Sequence, residues 1–78
     1  MTDPCEKIIA RALDSARIRY ERHNPQMLDF HLLDLGIFIE CKQFHSERIA
    51  GQMARAKNVI VTQGLDAAKI LANWIAPK

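Results

Sequence analysis

The stretch Gly36-Ile37-Phe38-Ile39-Glu40-Cys41-Lys42-Gln43-Phe44 constrains this chain more than any other. It reads as a strand bound for the interior, yet it carries an acid and a base two residues apart. Strand side chains alternate with a period of two, so Glu40 and Lys42 share one face while Ile39 and Cys41 take the other. Charges withdrawn from water are costly unless they pair, bind a metal or do chemistry. A fold that accepts this strand must press its apolar face on a core and give its charged face a purpose.

Length sets the frame for that core. Seventy-eight residues suffice for one domain, spanning 1–78, near the lower limit for a single hydrophobic core. With 49% hydrophobic and 26% charged residues, the chain is composed to fold. Its two cysteines, Cys5 and Cys41, are too few for a disulfide scaffold or a four-thiolate zinc site, and read as reduced thiols. Asp3 and Glu6 stand where a signal peptide would be basic, and no apolar run approaches a membrane span. A cytoplasmic protein without a membrane partner is the expectation. The net charge of +2 and a pI near 8.7 are compatible with nucleic acid, although dedicated DNA-binding domains are usually more basic. So small a core gains by burying a further face, which predicts a homodimer or larger homo-oligomer, with Trp74 and Ile75 as its candidate interface.

Neither a repeat nor a low-complexity linker interrupts the chain. Asp3, Pro4 and Glu6 predict a capped helix start with a capping box, and Ile9, Leu13 and Ala16, flanked by Ile8 and Ala12, make one apolar stripe. Residues 18–23 and 26–33 read as strands separated by the Asn24-Pro25 turn signal. Asp34-Leu35-Gly36 reads as the tight turn of a hairpin leading into 37–44. Residues 45–57 predict a helix capped by Ser46, with Ile49, Met53 and Ala56 on one face. The β-branched run 58–63 reads as a strand buried on both sides. A closing helix carries Ile70, Leu71, Trp74 and Ile75 on its apolar side. The order α-β-β-β-α-β-α predicts an α/β fold, a mixed sheet with helices on its faces.

The hairpin decides whether Glu40 and Lys42 have company. A two-residue turn, or any even one, sets Asp29 across from them on the same face, whereas a three-residue loop sends it to the other face. With the even turn, two carboxylates and an ammonium converge. Neighbouring carboxylates repel unless a cation intervenes, and Mg²⁺ or Mn²⁺ accepts one or two carboxylates plus water and phosphate oxygens. The Cys41 backbone carbonyl is a further donor. Lys42 is then free to orient or deprotonate a water, or to steady developing negative charge.

Asp29, ten residues, then Ile39-Glu40-Cys41-Lys42 resembles the motif of the PD-(D/E)XK nuclease superfamily, the restriction-endonuclease-like fold. The resemblance runs over roughly residues 3 to 75, and the α-β-β-β-α-β order of the family's core matches the order read above. It implies a metal-dependent nuclease that hydrolyses DNA phosphodiester bonds to a 5′-phosphate and a 3′-hydroxyl. Asp29 and Glu40 would be its metal-holding acids and Lys42 its lysine. Many members add a glutamate from the first helix, here Glu6, and a polar residue from the helix after the lysine, here Gln52, with Arg48 or Arg55 as the next choices. Leu28 stands where the motif's proline would be, and the chain has no room for a specificity domain.

Competing readings accompany each residue. Glu40 and Lys42 would also suit a solvated pair on an exposed strand. Glu6 is explained equally by its capping box. Arg48, Gln52 and Arg55 lie on one helical face that either faces water or meets a phosphate. His45 is a helix cap or a phosphate contact, His31 shares strand parity with Asp29, and Arg19 belongs to a looser basic set with Arg11, Arg17 and Arg22 suited to backbone contacts. Spacings typical of zinc ligands are absent. The alternative to a nuclease is a non-catalytic nucleic-acid-binding or assembly module that keeps the fold.

Overall fold

The computed structural model describes residues 3–22, 28–42 and 57–77. In chain order these form helix α1 (Pro4–Ser15), strands β1 (Tyr20–Glu21), β2 (Phe30–Leu32), β3 (Ile37–Lys42) and β4 (Val59–Gln63), and helix α2 (Leu65–Ile75). The strands build one mixed sheet of four in the order β1-β2-β3-β4. β1, β2 and β3 pair antiparallel, and β3 and β4 pair parallel. The architecture is thus a small α/β fold. The helix expected over 45–57 falls almost wholly outside the described residues.

Helix α1 begins as its sequence dictates. Asp3 caps it, its carboxylate accepting the Cys5 N–H at 2.7 Å, and Pro4 takes the first helical position. Glu6 does not turn back to the cap as a capping box would; its carboxylate is taken by Arg22. The helix ends in a Schellman closure, with the Ile18 N–H bonded to Leu13 O and the Arg17 N–H to Asp14 O. Arg17 occupies the left-handed position at φ 57° that this closure requires.

One face of the sheet makes the core. Phe30 pairs with Ile39, and Leu32 with Ile37, so these side chains stand together and meet Cys5, Ile9 and Leu13 of α1 and Ala68 of α2. Leu71 and Ile75 complete the packing from α2. Each of Ile9, Leu13, Phe30 and Ile39, fully buried, contributes about 1.5–3 kcal/mol of hydrophobic stabilisation. Truncating Ile9 to Ala would forfeit about 2–5 kcal/mol, a large part of a small domain's stability. Cys5 and Cys41 lie in this core as free thiols, and burial pushes the Cys41 thiol up to about 12.

Three expectations need correction. The hairpin turn is four residues, Leu33 to Gly36, closed by the Leu35 and Gly36 N–H groups on Leu32 O. A three-residue turn over Asp34-Leu35-Gly36 would have paired Leu33 with Ile37 and reversed the parity of Asp29. β4 is not buried on both sides: it is an edge strand in which Ile60 is 40% exposed and Thr62 alone is buried. On α2, Ile70 and Trp74 point outward, Trp74 at 77% exposure, because Ala68, Leu71 and Ile75 already occupy the core-facing stripe. Among the described residues, no helix is long and apolar enough to cross a membrane.

A candidate acidic site at the open end of the hairpin

The pairing of Phe30 with Ile39 continues one step outward to set Asp29 level with Glu40. β2 has ended there, so the backbone of Cys41 has outrun its partner strand. Phe38 N–H bonds to Asn58 O and Lys42 O accepts the Gly64 N–H, both on the β4 side. Strand alternation therefore turns the Cys41 N–H and C=O toward the β2 side. The side chain of Asp29 takes over what the ladder leaves, accepting the Cys41 N–H at 2.7 Å. Asp29 is gripped from behind as well, because Arg22 Nε donates to its backbone carbonyl at 3.0 Å.

Glu40 is the costliest residue in the site. It is only 2% exposed. Burial, reinforced by a hydrogen bond to the Asp29 carboxylate and by its charge, pushes the Glu40 carboxyl up to about 8, while Lys42 pulls the other way. Lys42 Nζ stands 4.0 Å from Glu40 Oε2, the outer edge of an ion pair and too far for a hydrogen bond. The lysine therefore offsets the buried charge without capturing it.

Glu6 approaches from the first turn of α1. Burial raises its carboxyl above the usual range, the nearby Asp29 charge raises it further, and the Arg22 guanidinium opposes both. Asp29 thus raises both Glu6 and Glu40, with Arg22 opposing it at the first and Lys42 at the second.

The donor set is all oxygen. Two facing carboxylates that repel when both are charged, with the Cys41 carbonyl on the same edge, fit a hard divalent cation that fills its shell with water and phosphate oxygens. They do not make a metal cage: among the described residues, no group of three or more His, Cys, Asp or Glu side chains is placed to hold a metal ion.

The arrangement brings together Asp29, Glu40, Cys41 and Lys42, and sets Glu6 beside them behind Arg22. Arg19 lies elsewhere, bound to Asp34 of the hairpin turn at 2.5 and 3.1 Å in full solvent. Arg19 is thus already paired at the opposite end of the hairpin. Gln52, Arg48, Arg55 and His45 lie outside the described residues.

Two features escaped the sequence reading. Arg22 was one of four scattered arginines and is the one at the site. A second dyad lines the same sheet face: His31 Nδ1 lies 2.8 Å from Glu21 Oε1, and the His31 ring stacks on Phe38 at 4.3 Å. Strand parity held the signal for His31 and Phe38, which pair directly once the turn has four residues. Comparison of the chain with protein-family models, with curated proteins and with solved structures finds no match.

Proposed function

We propose that this protein is a metal-dependent nuclease with a restriction-endonuclease-like core, acting on DNA phosphodiester bonds. The observation that carries this reading is the pairing of Asp29 with a buried Glu40 across the Cys41 N–H, with Lys42 on the same strand face. A buried carboxyl that burial and a neighbouring carboxylate push far from its ordinary value, with no full ion pair to hold it, is the kind of perturbed group that clusters at functional sites. Mg²⁺ or Mn²⁺, held by Asp29, Glu40 and the Cys41 carbonyl, would supply positive charge against the scissile phosphate and acidify the attacking water.

The protein's own groups do the rest. Lys42 orients the attacking water or steadies the charge that develops on the phosphoryl oxygens. Cys41 and Arg22 hold Asp29 by side chain and main chain, so its carboxylate is aimed before substrate arrives. The water oxygen bonds to phosphorus as its proton passes to solvent, the bond to the 3′ oxygen breaks and that oxygen takes a proton from solvent, leaving the 5′-phosphate and 3′-hydroxyl that the PD-(D/E)XK resemblance implies. The reading places the protein in the cytoplasm as a homodimer or larger homo-oligomer.

The test is cleavage of plasmid, linear, branched and single-stranded DNA, with and without Mg²⁺ or Mn²⁺, by the parent, Lys42→Ala and Asp29→Ala. Metal-dependent cutting by the parent alone is expected. The reading fails if no substrate is cut in either metal, or if both variants cut as well as the parent. A non-catalytic assembly module, favoured by the exposure of Ile70 and Trp74 on α2, is the reading that would then remain.

A further inference from the structure

Arg22 is gripped from three directions. Its Nε donates to the Asp29 carbonyl at 3.0 Å, a terminal nitrogen holds the Glu6 carboxylate, and its guanidinium carbon lies 4.4 Å from the centre of the Phe30 ring. Its side chain is nonetheless 36% exposed, whereas Glu6 behind it is 19% exposed. A guanidinium has five N–H donors, and these contacts leave some to spare. Of the three grips, only the one on Glu6 uses a charge that another anion can replace.

We propose that Arg22 is a phosphate contact of the carboxylate site, held in reserve by Glu6, and that an arriving phosphodiester takes the guanidinium and releases Glu6 beside Asp29. This rests on the nuclease reading above and adds an order of events to it. A guanidinium fork matches carboxylate and phosphate with the same geometry, so the two compete for one set of donors. The Phe30 ring and the Asp29 carbonyl keep the guanidinium in place while its anionic partner changes. Glu6, once released from Arg22, still faces the charge of Asp29. Arg19 cannot serve in this way, since its acid partner Asp34 belongs to the far turn.

The experiment is a double-mutant cycle read by fluorescence anisotropy of a short labelled DNA duplex, in EDTA, with parent, Glu6→Gln, Arg22→Met and the double variant. Glu6→Gln should tighten binding by about two- to fivefold, the reach of a partly exposed ion pair. Arg22→Met should weaken binding, and in its background Glu6→Gln should give no more than an exposed control on α2, Asp66→Asn. Equal tightening by Glu6→Gln with and without Arg22, or no tightening at all, overturns the proposal, as does a failure of every variant to bind. Thermal melts establish that each variant folds. If Arg22→Met does not, Arg22→Lys replaces it, keeping the charge but unable to span both Glu6 and the Asp29 carbonyl. Because the cycle is run without metal, its failure is separable from that of the nuclease reading, which the cleavage assay decides.

Discussion

The β2–β3 hairpin has an arginine–carboxylate contact at each end, and the two ends behave differently. At the turn, Arg19 and Asp34 meet in full solvent, where hydrogen bonding to Arg19 holds the Asp34 carboxyl below its usual range. At the open end, Arg22 and Glu6 meet against the Phe30 ring and beside Asp29 and Glu40. The same two chemical groups brace a turn in one place and hold mutually repelling carboxylates apart in the other. What differs is water. Solvent screens the first pair, while burial lets every charge at the second be felt by its neighbours.

The largest expected contrast is catalytic. Lys42→Ala and Asp29→Ala should each lower DNA cleavage by about 100-fold or more, the usual worth of a positioned proton-transfer group or metal-holding carboxylate. Arg19→Met should leave the cleavage rate unchanged. A gel assay at saturating Mg²⁺ reads both.

Next comes the pH dependence of stability. An unfolded Glu40 has the ordinary carboxyl value of 4.5, and the folded one about 8. Between these values the folded chain keeps a proton that the unfolded chain loses, so stability falls as pH rises from about 4.5 to about 8. The slope from this one group is at most about 1.4 kcal/mol per pH unit. Thermal melting in EDTA across that range should show the fall, and Glu40→Gln should flatten it. Asp34, at the other end, has the opposite sign, losing stabilisation as pH drops through its lowered value.

A smaller effect separates the two arginines themselves. Arg22→Met leaves Glu6 facing Asp29 without the guanidinium that opposes their repulsion and should cost about 1 kcal/mol, discounted for the partial exposure of the pair. Arg19→Met should leave the melting temperature within experimental error. Equal destabilisation by the two would erase the distinction between the ends.

Much of the fold was legible because local rules decide it. Asp3 and Pro4 announce α1, and the alternation of Ile37, Ile39 and Cys41 against Phe38, Glu40 and Lys42 announces β3. The approach of Asp29 to Glu40 was legible as a condition on turn parity. The turn's length was not, because Leu33 can end a strand or begin a turn, and its assignment rests on the Leu35 and Gly36 amides meeting Leu32 O. Position within the sheet was also hidden. A run such as Val59-Ile60-Val61 suits an interior strand, and edge placement follows from what lies beside it. Arg22 went unrecognised for a similar reason. Its partner Glu6 is sixteen residues away, and only the packing of α1 against the sheet brings them together.

The Cys41 amide has a further consequence. It is a main-chain proton beyond the end of its partner strand, and its acceptor is a carboxylate. Such a proton should exchange slowly with solvent although it lies past the end of β2, and should resonate downfield of its neighbours. Asp29 protonated, drawn onto a cation, or replaced by Asn would each change that resonance. One backbone cross-peak is thus a built-in gauge of the carboxylate pair, readable before any substrate is known.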